Sequence, residues 1–226
     1  MERGTLLDSR FVILDALGAE HKTAVFRAFD TVDREMRALK IFPSELGGKA
    51  GVADAFAAEV QGLIALDHPC LMGVYGSQQA DDDRLLLALE YVRGVPLRKF
   101  MDPMPVLPLR AMLQIVAQIT EGIQHAHGAG VLHGAIAADT ILVVRVPNRT
   151  TTAKLINFKL ASIEGNSGLS KSEEHGAADW NEHDDFPVEL LDTDRDIYAL
   201  GRLLYEIVSS RCINLEGWMT APEGSV

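Results

Sequence analysis

Val131-Leu132-His133-Gly134-Ala135-Ile136-Ala137-Ala138-Asp139-Thr140-Ile141-Leu142-Val143-Val144 is the stretch on which the fold turns. It opens beside Gly128 and Gly130, residues of the kind that end helices, and closes on an apolar run starting at Thr140. Upstream, Leu109, Met112, Ile115, Val116, Ile119 and Ile123 share one helical side, which predicts a long amphipathic helix. Downstream, Thr140–Val144 and Ala153–Asn157 read as two short strands with Pro147-Asn148 as the turn between them.

Further out, the two ends of the chain differ. Phe11–Leu14, Thr23–Phe26 and Arg37–Phe42 are short β-rich runs separated by polar turns, which predicts an antiparallel sheet. Asp54–Leu66 has helical spacing, with Phe56, Val60, Leu63 and Ile64 on one face. Leu71–Tyr75 and Leu85–Tyr91 are further strand candidates, joined by the turn at Asp81-Asp82-Asp83. Asp102-Pro103-Met104-Pro105-Val106-Leu107-Pro108 cannot be helical inside, because proline removes donors and clashes with the preceding turn. Residues 163–187 are polar and read as an exposed loop, and Ile197–Val208 predicts a last apolar helix. No internal repeat of fixed period is visible.

Composition narrows the function classes. With 226 residues, 47% of them hydrophobic, the chain is long and apolar enough to bury a core, which excludes a disordered polymer. Its net charge of −11 argues against nucleic-acid binding, which needs clustered Lys and Arg. Eleven acids lie between Ile163 and Asp196 against Lys171 and Arg195, so most of the negative charge sits in one segment. Two cysteines, Cys70 and Cys212, make no disulfide framework and suit a reducing, cytoplasmic compartment. No secretory leader and no apolar run of membrane-spanning length is evident.

Several strings, taken in order, resemble the eukaryotic-type protein kinase family. Leu17-Gly18 followed by Val25-Phe26-Arg27-Ala28 is similar to the glycine-loop hairpin, and Ala38-Leu39-Lys40 to the strand carrying the nucleotide-binding lysine. Glu59, in a helix closed by Leu66-Asp67-His68-Pro69, resembles that lysine's glutamate partner, and Leu89-Glu90-Tyr91-Val92 the hinge. Val131-Leu132-His133 resembles the strand entering the catalytic loop, and Asn157-Phe158-Lys159 sits where the metal-binding Asp-Phe-Gly belongs. Asp196-Ile197-Tyr198-Ala199-Leu200-Gly201 resembles the start of the large lobe's central helix.

The resemblance implies an α+β, two-lobed fold. Residues 1–94 are the expected N-lobe, 95–108 a hinge or linker, and 109–226 a helical C-lobe that looks shortened. It also implies a nucleotide site. Val25 and Ala38 correspond to the residues above the adenine, Leu142 to the one below, and Leu89, Glu90 and Val92 to the hinge. Gly18, Lys40 and Glu59 complete the set, while Leu63, His133 and Phe158 resemble members of the apolar column joining the lobes.

Against this pattern stand the departures. Glu20 and Thr23 occupy two of the glycine positions, and a plain surface hairpin is the simpler reading there. Ala135 replaces the base that accepts the substrate proton, and Ala137 the lysine that steadies the transferred phosphoryl group. Thr140 and Asn157 replace the two metal ligands, so neither a catalytic set nor a metal site is expected. The expectation is a non-enzymatic pseudokinase that requires no cofactor and serves as a scaffold or allosteric regulator. Its partner would be another protein, an active kinase or a second copy of itself, with no nucleic acid and no membrane involved. The alternative readings are an ATP-binding switch that works without Mg²⁺, or a weakly active, atypical transferase in which Asp139 or Glu20 substitutes as an acid.

Other residues read more plainly. His125 and His127 pack or cap the end of their helix, and His175 and His183 belong to a solvated loop. Ser167, Ser170, Ser172 and Thr193 are candidate phosphoacceptors set among acids that would repel added phosphate. The acidic segment is either a solvated loop or a docking surface for a basic partner. A shortened C-lobe should leave Leu203, Leu204, Tyr205 and Ile207 exposed.

Overall fold

Residues 1–20, 23–101, 108–144, 151–164 and 192–219 are described in a computed structural model of the chain. In chain order the elements are β1 (Leu6–Leu7), β2 (Phe11–Glu20), β3 (Thr23–Asp30), β4 (Glu35–Phe42), α1 (Ser44–Gly47), α2 (Val52–Ile64), β5 (Val74–Gln79), β6 (Leu85–Glu90) and β7 (Val95–Pro96). After a 3-10 turn at Leu97–Phe100 come α3 (Leu109–Gly128), a second such turn at Ala138–Thr140, β8 (Ile141–Val144), β9 (Thr152–Leu155), α4 (Ala161–Glu164) and α5 (Asp192–Met219). Two compact units result. One holds Met1–Asp67, Met72–Val92 and the segment from Lys159; the other holds His68–Leu71, Arg93–Phe158 and the segment from Leu190.

The first unit is the antiparallel sheet that alternation in the early sequence predicts. Its strand order is β1-β2-β3-β4-β6-β5. Side chains alternate between its faces, so one residue in two joins a given core. Phe26, Leu39 and Ala88 fall on one face with Ile13 and Ile41, forming a buried apolar cluster. Val25, Ala38 and Leu89 fall on the other. β2 runs well past the expected Leu14, but register shifts between Ile13 and Asp15 and between Ala16 and Gly18 break its alternation.

α2 follows Gly51, whose φ of 78° is a left-handed conformation open to glycine at little steric cost. It buries Phe56, Val60 and Leu63 as expected, but Ile64 is 38% exposed because the helix ends there. Phe56 meets Phe42 edge-on, with ring centroids 5.5 Å apart. At the far end of the sheet Asp30 is fully buried, and it accepts hydrogen bonds from Arg10 Nη2 at 2.6 Å and from the Val32 N–H at 2.9 Å.

In the second unit α3 buries Met112, Ile115, Ile119 and Ile123, as its periodicity predicts, while Leu109 is 39% exposed at its first turn. It packs against β9 and α5. α5 turns Leu203 and Ile207 inward, at 2% and 0% exposure, so those two are not part of the open face expected of them. Leu204 and Tyr205 are exposed as expected. β7, β8 and β9 form a small sheet in that order. The strand expected at Leu71–Tyr75 begins only at Val74, and Leu71 instead makes a single bridge to Leu155.

Candidate functional site

In the first unit the register gathers most of the predicted nucleotide residues onto one sheet face. Gly18 pairs with Val25, Val25 with Lys40, and Ala38 with Leu89, and directly paired residues of antiparallel strands share a face. Ala38 and Leu89 are buried, and Val25 and Lys40 are half-buried. Lys40 shares this face with Arg27, which pairs with Ala38 and bonds Asp15, and Lys40 Nζ lies 5.5 Å from the centre of the Phe42 ring. Gly18 is exposed, and a Cβ there would meet nothing within 4 Å. The hairpin tip at residues 21 and 22 and the side chain of Glu20 lie outside the described residues.

Glu90 lies on the opposite face from Leu89, and its Oε2 accepts the Gly73 N–H at 3.0 Å. That bond anchors the strand end that leads to half-buried Val92. Glu59 is committed elsewhere than expected. Its Oε1 accepts the Ala161 N–H at 2.7 Å, and its Oε2 accepts the Ser162 N–H at 3.1 Å and hydroxyl at 2.6 Å. The carboxylate therefore caps α4, in place of the ion pair with Lys40 that the resemblance implies.

In the second unit the loop His133–Thr140 is organised by backbone hydrogen bonds. Asp196, 1% exposed, accepts the His133 N–H through Oδ2 and the Gly134 N–H through Oδ1, each at 2.8 Å. His127 Nε2 lies 2.9 Å from the same Oδ2, so this histidine packs inward as the sequence reading holds. His125 is exposed, with its ring tilted over that of His68 at 5.4 Å.

His133 is fully buried, and its tautomer follows from its neighbours. Nδ1 accepts the Ala135 N–H at 3.1 Å, so the ring proton sits on Nε2 and is donated to the Ile156 carbonyl at 2.9 Å. With both nitrogens used, this imidazole is a structural member and not a base. Its ring stacks obliquely on Phe158 at 4.6 Å, which joins two of the residues assigned to the apolar column.

At the loop's other end, Thr140 Oγ1 donates to the Ala135 carbonyl at 2.9 Å and accepts the Ala137 N–H at 3.0 Å. Asn157 has a φ of 63°, a left-handed conformation that asparagine tolerates better than most residues. Neither donor set suits a hard divalent cation, which favours carboxylate oxygens. The Thr140 hydroxyl is occupied by backbone partners, and Asn157 offers only a neutral amide. Leu142 is half-buried beside Gly94. Lys159 is exposed; the acidic loop expected to pair with it, with His175, His183 and the phosphoacceptor candidates Ser167, Ser170 and Ser172, lies outside the described residues.

Sequence reasoning missed Arg98. Its Nε donates to Asp139 Oδ2 at 3.1 Å and its Nη1 to Glu206 Oε1. Partners 41 and 108 residues away leave no local signal. Ser162, the partner of Glu59, is equally distant in sequence and was equally invisible.

The chain matches a family model described as "Protein kinase domain" over residues 11–216. It is 27% identical over 210 residues to Serine/threonine-protein kinase pkn2 of Myxococcus xanthus, covering 91% of this chain and 25% of that protein. It is also 27% identical to Serine/threonine-protein kinase PrkC of Bacillus subtilis, over 92% of this chain and 32% of that one. The chain therefore spans a quarter to a third of the length of these curated relatives. The PknI kinase domain of Mycobacterium tuberculosis shares the fold, with a TM-score of 0.66 at 21% identity over 93% of this chain and 77% of that structure. The expectation of a non-enzymatic scaffold is overturned by these findings, since both the family and the relatives are kinases. Replaced side chains at positions 135, 137, 140 and 157 are departures in sequence and do not demonstrate lost transfer. No helix among the described residues is long and apolar enough to cross a membrane.

Proposed function

The chain belongs to the protein kinase family, and from that premise we propose that it is an atypical phosphotransferase acting on protein hydroxyl groups. The observation that carries the reading is the clasp of Asp196 on the His133 and Gly134 N–H groups, which holds the catalytic loop although Ala135 stands where its base belongs. Phosphoryl transfer leaves little covalent chemistry to the protein, so positioning and charge supply most of the acceleration. A loop kept in place thus retains part of its value without the base.

ATP, the family's usual donor, would supply the γ-phosphoryl group. The first unit fits such a ligand: Val25, Ala38 and Leu89 offer apolar surface, and Lys40 on the same face offers a charge for phosphate. Glu90 and Val92 would hold the strand end beside that face. Binding of the nucleotide is expected to need no Mg²⁺, because Thr140 and Asn157 make a poor metal site. Asp139 is the acid left in the catalytic turn. Loss of a positioned base costs about 10²- to 10⁴-fold, so turnover should be slow. Two cysteines without a framework agree with a cytoplasmic setting.

The test is transfer from γ-labelled ATP to a Ser/Thr-containing protein, with Mg²⁺ and with EDTA, beside Lys40→Ala and Asp139→Ala. Slow transfer that falls at least about tenfold in Lys40→Ala is expected. No transfer under either condition would sink the reading.

A further inference from the structure

Three elements of the second unit meet at one guanidinium. Arg98 lies in the 3-10 turn after β7, Asp139 in the catalytic turn and Glu206 on α5. Arg98 bonds both acids at once, with Nε on Asp139 Oδ2 at 3.1 Å and Nη1 on Glu206 Oε1. Its side chain is 27% exposed, against 51% for Asp139 and 34% for Glu206, so the cation is the most sheltered member. Burial works against its charge, but Glu206 first and Asp139 second outweigh burial and hold its pKa above the ordinary arginine value.

The two ends of the catalytic loop are held differently. Asp196 grips its start through the backbone at His133 and Gly134. The Thr140 hydroxyl ties the loop to itself, through Ala135 and Ala137, and the Thr140 carbonyl accepts the Ile156 N–H at 2.8 Å. The contact that links Asp139 to the rest of the unit through a charged side chain is Arg98. A planar guanidinium can serve two carboxylates at fixed angles, whereas an ammonium is a single point charge. An isolated exposed ion pair would be worth little, but a half-buried fork shared by two acids is a firmer strut.

We propose that Arg98 is a positioning residue, which pins the Asp139 end of the catalytic turn to α5 and so sets where that turn presents its acid. Its effect on turnover rests on the phosphotransferase reading; its effect on the turn does not.

The experiment is amide hydrogen exchange on the full chain, paired with transfer kinetics. In Arg98→Met, amides of residues 136–141 should exchange about tenfold faster while the thermal midpoint of the chain stays put. Arg98→Lys should fall between the two, and adding Asp139→Asn to Arg98→Met should bring no further acceleration. Where the parent chain transfers phosphate, kcat should drop about tenfold in Arg98→Met with KM for ATP unchanged. Unaltered exchange in Arg98→Met would overturn the proposal. A parent chain without transfer, but with the exchange effect present, would instead remove the phosphotransferase reading and leave the strut standing.

Discussion

Asp196 Oδ1 accepts the Gly134 N–H at 2.8 Å, and its other oxygen accepts the His133 N–H at the same distance. These residues lie more than 60 positions apart, and the carboxylate between them is 1% exposed. A buried carboxylate with donors on both oxygens is stable only while all of them are acceptors. Asp196→Asn turns one acceptor into a donor that faces an N–H or His127. The expected loss is about 2–4 kcal/mol in urea unfolding. A loss below about 0.5 kcal/mol would mean that the clasp is not what orders the loop.

Asp30 supplies a pH prediction. Burial alone would raise its pKa, but the Arg10 guanidinium and the Asp33 and Val32 N–H groups together hold it below the ordinary carboxylate value. A depressed carboxylate stabilises the fold above its unfolded-state pKa. That contribution drains away as pH falls through the lower folded value. Unfolding free energy should therefore decline as pH drops below about 4. Asp30→Asn should be less stable at neutral pH and show a flatter acid limb. An identical limb in both proteins would assign acid sensitivity to other groups.

Much of the fold was legible because it depends on local periodicity. The α3 face, the β4 run and the α2 face all follow from spacing within a single element. What stayed hidden depends on distant partners. Ile64 carries the right spacing for the buried side of α2, yet the helix stops at that residue. Leu203 and Ile207 looked orphaned because nothing local shows that α3 lies against them. The site divided along the same line. Lys40, Ala38 and Leu89 come from contiguous strings, and strand register brings them to one face. Glu59 was assigned to Lys40 by resemblance, but its carboxylate is taken by Ala161 and Ser162, 102 and 103 positions away.

The Glu59 cap makes its own prediction. Glu59→Ala leaves the Ala161 N–H, the Ser162 N–H and the Ser162 hydroxyl without their acceptor. Loss of a cap of this kind costs about 1 kcal/mol, and α4 is only four residues long. Faster amide exchange at residues 161–163 is expected. Ser162→Ala should have a smaller effect, because both backbone donors keep the carboxylate. If the two variants exchange alike, the hydroxyl and not the backbone is the main attachment.

Gly94 tests whether Leu142 belongs to a nucleotide site. A Cβ at Gly94 would lie 2.8 Å from Leu142 Cβ and 3.2 Å from the Val143 carbonyl oxygen, so Gly94→Ala must displace β8. Overpacking of this kind costs about 1–3 kcal/mol. Gly122→Ala is the matched control. Its Cβ would come 2.9 Å from Leu71 Cδ2, the tip of a side chain that can turn away, and it does not touch Leu142. Both variants should lose stability, the control less, since the gain in helix propensity offsets part of its strain. If Leu142 lines the site, only Gly94→Ala should also weaken ATP binding, by about tenfold in calorimetric titration without metal. Equal affinity in the two variants would remove Leu142 from nucleotide binding.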